Sequence, residues 1–165
     1  MMVQAGRSGE LDPAAIDRVR DEVRPDPRDA DELHDAMLIA GVLFEDEVPP
    51  ELFAELVAMK RAGRVGALYV TAERLPEVLA IHPATVNFAA PKSRDRQWQR
   101  EDAIVELIRG RMTITGPTTA AELASSLGIA DSEADQALLK LESEGAILRG
   151  QIGWCDRRLF RRIHR

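Results

Sequence analysis

Cysteine is almost absent from this chain: Cys155 is the single one among 165 residues. That excludes a disulfide framework and a four-cysteine zinc site. Aromatic residues are scarce, with two Trp, one Tyr and four Phe. A surface built for base stacking needs several in succession, so Trp98 and Trp154 are expected in a core or at the base of a hairpin. The three histidines, His34, His82 and His164, lie far apart and have no metal-ligand spacing. No apolar run reaches the roughly 18 residues that a spanning helix needs. The N-terminal stretch MMVQAGRSGELD lacks the basic segment and apolar core of a secretory signal, so the cytoplasm is the default expectation. A phosphate-binding G-x-x-x-x-G-K-[ST] sequence is also missing, which leaves no nucleotide-hydrolysis motif.

Apolar residues make up 45% of the chain and charged residues 30%, ordinary values for a globular protein. The net charge of −6 conceals an asymmetry. Residues 1–91 hold 9 Lys/Arg against 17 Asp/Glu, whereas residues 92–165 hold 13 against 11. The final 21 residues carry six arginines and one aspartate. A split of this kind points to a polyanionic partner at one end.

Turn residues and apolar spacing divide the chain. Asp12 and Pro13 open a short helix over 13–23, and the two prolines of RPDPR at 24–28 end it. The next helix is expected over 29–40, with Leu33, Ala36, Met37 and Ala40 on one face and Gly41 as its stop. A helix over 51–62 stopped by Gly63, a strand or hairpin arm over 64–70, and a short helix closed by His82-Pro83 follow. Residues 83–95 read as a connector. Beyond it, a helix over 96–112 places Ile104, Leu107, Ile108 and Arg111 on one side. Thr119 with Glu122 forms a capping box before a helix over 120–127, and Asp131 is expected to cap one over 132–144. Two short apolar arms around Gly150-Gln151 then predict a hairpin, and a last helix begins near Asp156.

Three helices followed by a hairpin is the winged-helix order, with a helix-turn-helix at 119–144. The expected fold is mainly α: tandem winged-helix units, the N-terminal copy degenerate. The expected division is an arm and short helix over 1–25, a degenerate winged-helix-like subdomain over 26–91, and a winged-helix domain with a basic C-terminal helix over 92–165. No sequence-level repeat supports the copy, which is an inference from element order alone.

Several stretches resemble the region outside the ATPase core of the bacterial large helicase-related (Lhr) proteins. They are ELIRGRMTITGPTTAAELASSLGI at 106–129, ALLKLESEGAILRGQI at 137–152 and WCDRRLFRRIHR at 154–165, with DADELHDAMLIAGVL at 29–43 and ALYVTAERLPEVLAIHP at 67–83. The resemblance covers most of residues 26–165. It implies tandem winged-helix units in a DNA-repair setting, where the family's full-length members are ATP-dependent helicases. This chain stops inside the basic helix where such proteins continue, and reads as a fragment or a short stand-alone remnant.

Each candidate site has a plain structural competitor. Asp31-Glu32-Leu33-His34 spells a helicase DExH box, but that chemistry needs a buried strand beside a phosphate loop. The polar RPDPRDA before it is no such strand, so Asp29 and Asp31 are assigned to a helix N-terminus. Cys155 is expected to be a buried thiol, and Ser125-Ser126 sits in a helix without a strained nucleophile turn. The second helix of the helix-turn-helix carries Asp131, Glu133, Asp135, Glu142 and Glu144 against Lys140 alone. It is a poor reader of DNA, because basic residues supply the attraction to phosphate. The C-terminal helix is the opposite. At about 100° per residue, Arg157, Arg158, Arg161, Arg162 and Arg165 share one arc, and Leu159, Phe160 and Ile163 the other. Arg149, near the wing tip, extends the patch. Arginine suits bidentate phosphate contact.

The function expected is a non-catalytic accessory module that binds the DNA backbone, single- or double-stranded, without reading sequence. The site residues are Arg149, Arg157, Arg158, Arg161, Arg162 and Arg165, with no catalytic residue, metal or cofactor. The competing expectation is a protein-interaction module, for self-association or for docking on the ATPase core of such a helicase; for the arginines themselves the plain alternative is a solvated face or pairing with carboxylates of the acidic N-terminal half.

Overall fold

The computed structural model describes residues 12–150 and 153–164. It is mainly helical, with two separate two-stranded antiparallel sheets. The elements are α1 (Pro13–Val23), α2 (Ala30–Ala40), α3 (Pro50–Ala58), β1 (Ala62–Val65), β2 (Leu68–Thr71), α4 (Leu75–Ile81), α5 (Arg100–Thr115), α6 (Ala120–Leu127), α7 (Asp131–Ser143), β3 (Ile147–Gly150), β4 (Gly153–Asp156) and α8 (Arg157–Ile163). None of these helices is long and apolar enough to cross a membrane.

The chain divides into two compact units: Met1–Arg24 with Met112–Arg165, here the terminal unit, and Pro25–Arg111, the central unit. The division expected from sequence fell at 25/26 and 91/92. Residues 92–111 group with the central unit, and within that unit α5 makes a buried ion pair. Arg111 is buried and donates to both carboxylate oxygens of Glu47, at 2.7 and 3.1 Å, and to the Val42 carbonyl. Its guanidinium also lies 4.3 Å from the centroid of the Phe44 ring. Here an arginine on the apolar side of a helix brings its own counter-charge into the core.

Most element ends follow local chemistry. Asp12 accepts from the Ala14 N–H at the start of α1, and Asp29 from the Glu32 N–H at the start of α2. Thr119 and Glu122 exchange hydrogen bonds at the start of α6. Three boundaries differ from expectation. Helix α3 ends at Ala58 rather than 62, and Gly63 lies inside β1. The stop is Lys60, at φ +60°, with Lys60 N–H bonded to the Val57 carbonyl and Arg61 N–H to the Leu56 carbonyl. This is the double hydrogen bond of a Schellman end with lysine where glycine is usual. Helix α5 is displaced toward the C-terminus, at Arg100–Thr115. Asp131 is the first residue of α7 rather than its cap; the Glu133 carboxylate reaches back to the Ala130 N–H. Of the expected Gly150-Gln151 turn, Gln151 lies outside the described residues, while Gly150 is the last residue of β3.

The two units repeat one another in backbone detail. In β1–β2 the register is Ala62↔Thr71 to Val65↔Leu68, and in β3–β4 it is Ile147↔Asp156 to Gly150↔Gly153, a constant shift of 85 residues. The same shift carries the Schellman end at Leu56, Val57, Lys60 and Arg61 onto Leu141, Glu142, Gly145 and Ala146. It carries the Ala72 N–H to Arg61 carbonyl bond onto the bond from Arg157 N–H to the Ala146 carbonyl. It also carries Arg64 over Tyr69 onto Arg149 over Trp154, two cross-strand arginine–aromatic pairs. A second shift, of 75 residues, relates the segment before each hairpin. The isolated bridge Leu43↔Tyr69 maps onto Thr118↔Trp154, and the helix-ending glycines Gly41 and Gly116 both have positive φ. Phe44 N–H bonded to Glu47 maps onto Thr119 N–H bonded to Glu122. Most of the ten residues between the two shifts lie in the helices: a 3-10 turn of 3 residues, Glu45–Glu47, stands where the terminal unit has the 8 residues of α6, and the 9 residues of α3 stand where it has the 13 of α7.

Glu47 therefore serves both as the cap of that turn and as the partner of buried Arg111. Glu47→Ala is expected to cost about 3 kcal/mol, because it leaves a buried guanidinium without this carboxylate. Urea unfolding monitored by circular dichroism measures it; a loss below about 0.5 kcal/mol, the usual range for a surface change, would contradict the role.

Candidate nucleic-acid interface

In the terminal unit α1 and α8 share a core. Ala15, Ile16 and Val19 of α1 pack with Cys155, Leu159 and Ile163, flanked by Val23 and Phe160. Asp156 at the end of β4 starts α8 by accepting from the Arg158 and Leu159 N–H groups. With Leu159 and Ile163 turned inward, helical periodicity sends Arg157 and Arg161 to the opposite side, and both are exposed. Arg161 and Arg162 also lie in the last turn, where cations are favoured by the helix dipole.

The expected arginines do not share one fate. Arg158 is exposed and comes within 3.8 Å of Asp156, beyond hydrogen-bond length. Arg149 projects from β3 with its guanidinium 4.3 Å from the centroid of Trp154, the aromatic whose backbone bridges to Thr118. Arg162 sits on the margin of the apolar face, next to α1. It pairs there with Glu22, and its carbonyl accepts from Arg18 at 3.1 Å. The uniform stripe expected from sequence is thus interrupted at Arg162 by a carboxylate of α1, while Arg158 has the Asp156 carboxylate within ion-pair distance. Arg165 lies outside the described residues.

Helix α7 buries Ala134, Ala137, Leu138 and Leu141, the four residues expected, against its neighbours. Asp131, Asp135 and Glu142 of α7 and Glu144 at its end are exposed, so this helix presents carboxylates outward.

The remaining candidates take structural places. The DExH-like residues lie on α2 rather than at a strand end. Asp31 pairs with Arg61 at 2.8 Å, His34 is buried against Glu73 at 3.0 Å, and Glu32 accepts from Arg28. That backbone bond holds the Glu32 carboxyl below its ordinary pKa. No cluster of histidine, cysteine and carboxylate able to hold a metal occurs among the described residues. Ser125 and Ser126 are exposed on α6.

Sequence reasoning missed the part played by α1. Nothing in residues 13–23 announces that Ile16 and Val19 meet the last helix, or that Glu22 reaches Arg162, since the contacts span more than 130 residues of chain. No protein-family profile and no curated protein matches the chain.

Cys155 is buried, and burial together with the Asp156 charge pushes its thiol up to about 12. At pH 8 it is expected to resist a maleimide or an aromatic disulfide reagent in the native protein and to react on unfolding, because the thiolate is the nucleophile. Fast native labelling would refute the placement.

Proposed function

We propose that this chain is a non-catalytic, DNA-binding accessory module built of tandem winged-helix units, the first of them degenerate. Its setting in this reading is an ATP-dependent helicase of the large helicase-related family, as the resemblance implies. The fold reading is supported by the twofold recurrence of helix, bridge, helix and hairpin, with one helix shortened to a single turn in the central unit.

The observation that carries the DNA reading is the grouping of Arg149, Arg157, Arg158 and Arg161 on the second hairpin and the helix that follows it. All four are exposed, and none is hydrogen-bonded to a carboxylate among the described residues. Phosphate contacts of this kind position a duplex or a strand but carry no base information. The acidic face of α7 opposes insertion of that helix into a groove lined by phosphates.

Fluorescence anisotropy with a labelled oligonucleotide at several salt concentrations tests this. Four phosphate contacts give a log–log salt slope of about −3.6 on a duplex, with Kd in the range of ~10⁻⁴–10⁻⁶ M. Arg157→Glu with Arg161→Glu is expected to weaken binding at least ~10-fold and to reduce the slope by about 2. Absent or salt-independent binding would remove the proposal.

One feature favours a second reading, a protein-docking module: α7 displays Leu139, 43% exposed, amid its carboxylates. Light scattering separates the two. A stable oligomer indifferent to the Arg157 and Arg161 reversals supports docking.

A further inference from the structure

A cleft of about 350 Å³ opens in the terminal unit, lined by Val23, Thr113, Asp156, Arg158, Leu159 and Arg162. Val23 and Leu159 are its apolar lining, and its cations are Arg158 and Arg162, one helical turn apart, beside the Asp156 carboxylate. We propose that this cleft is a phosphomonoester site, for a free mononucleotide or for the 5′-phosphorylated end of a DNA strand. The inference rests in part on the DNA reading, since Arg158 is common to both.

The repeated backbone supplies a comparison within the same chain. The 85-residue shift places Glu73 and Glu77 where the terminal unit has Arg158 and Arg162. Those two carboxylates are satisfied locally: Glu73 bonds buried His34 at 3.0 Å and Glu77 bonds Arg74 at 3.1 Å. The central unit thus complements its own charges at these positions.

The terminal unit does so only in part. Glu22 engages Arg162, but Glu22 is exposed and Arg162 only half-buried, and a pair at the surface contributes little, ~0–1 kcal/mol. Arg158 has Asp156 at 3.8 Å, and the same Asp156 oxygen already accepts from two backbone N–H groups. One guanidinium is therefore held weakly, and the other by a carboxylate that an incoming anion can displace.

A phosphomonoester fits this pair better than an internal phosphodiester. It carries about −1.5 to −2 charge at neutral pH and three acceptor oxygens, enough to bridge two guanidiniums. A diester offers one charge and two free oxygens. The apolar lining of Val23 and Leu159 accommodates the carbon body attached to the phosphate.

The test uses the full chain and two probes. Calorimetry compares thymidine 5′-monophosphate with thymidine, and anisotropy compares one oligonucleotide with and without its 5′-phosphate. The monophosphate is expected to bind and thymidine not. Arg158→Ala with Arg162→Ala should weaken the monophosphate at least ~10-fold, as loss of charge-assisted bonds does. Glu22→Gln should tighten it ~2–5-fold by removing the resident competitor, a gain that misfolding cannot produce. A 5′-phosphate preference in the oligonucleotide identifies a strand end as the source; monophosphate binding without that preference identifies the free ester, and both support the cleft. No monophosphate binding and no 5′ preference overturns it, while salt-dependent binding of the unphosphorylated strand would still leave the DNA reading standing. Monophosphate binding that ignores all three substitutions also overturns it. Monophosphate binding with no oligonucleotide binding keeps the cleft and removes the DNA reading.

Discussion

Ile16 and Val19 on α1 bury against Leu159 and Ile163 on α8, and this contact sets the rotation of the last helix about its axis. Each such side chain contributes ~1.5–3 kcal/mol when withdrawn from water. A helix of seven residues has no stability of its own to set against that, since isolated helices this short do not persist in water. The apolar face is therefore fixed inward, and the arginine positions follow from the helical repeat. Arg157 and Arg161 must face solvent. Arg162, adjacent to the buried edge, must meet whatever α1 places beside it, which is Glu22. The electrostatics of the surface is a consequence of the hydrophobic seam beneath it.

The two units show how little of the chemistry is dictated by the backbone. The hairpin register, the hydrogen bonds that end the preceding helix and the arginine–aromatic stack are the same in both. The helix after the hairpin is Leu-Pro-Glu-Val-Leu-Ala-Ile in one unit and Arg-Arg-Leu-Phe-Arg-Arg-Ile in the other. In the first, burial raises the Glu77 pKa and Arg74 offsets part of that cost. In the second, charge is left on the surface. One copy closes its polar groups on themselves, and the other leaves Arg157 and Arg161 exposed. This division parallels the charge split along the sequence, in which the acidic residues concentrate before residue 92.

Element order was legible in the sequence because its signals are local. Asp12, Asp29 and Thr119 each act within three residues of chain, and the α7 apolar arc is a matter of period. The end of α3 was misjudged because lysine, not glycine, adopts the left-handed conformation at position 60. The pairing of Arg111 with Glu47 was not legible, because it spans 64 residues and looks in sequence like a charge on an apolar face. The repeat was legible only as an order of elements. Among the residues matched by the 85-residue shift, Leu56 with Leu141 and Arg64 with Arg149 are identities, yet most of the hydrogen bonds involved are backbone to backbone and make no demand on side-chain type. Of the proposed arginines, periodicity placed Arg157 and Arg161 outward without aid. The pairing of Arg162 needed a partner 140 residues away.

A module that reads sequence and one that holds phosphate make opposite demands on the helices at issue. Reading requires donors and acceptors on the inserted helix, matched to base edges. Here the helix in that position, α7, exposes Asp131, Asp135, Glu142 and Glu144, and carboxylates drawn toward a phosphate-lined groove lose the attraction that brings a protein to DNA. The exposed cations sit elsewhere, on β3 and on α8, a placement that under the proposed function suits the sugar–phosphate surface and not the bases. In the proposed role, discrimination would rest on the geometry and charge of the phosphate itself, and the pair Arg158 and Arg162 at the cleft is the proposed means of telling a terminal phosphate from a chain-internal one.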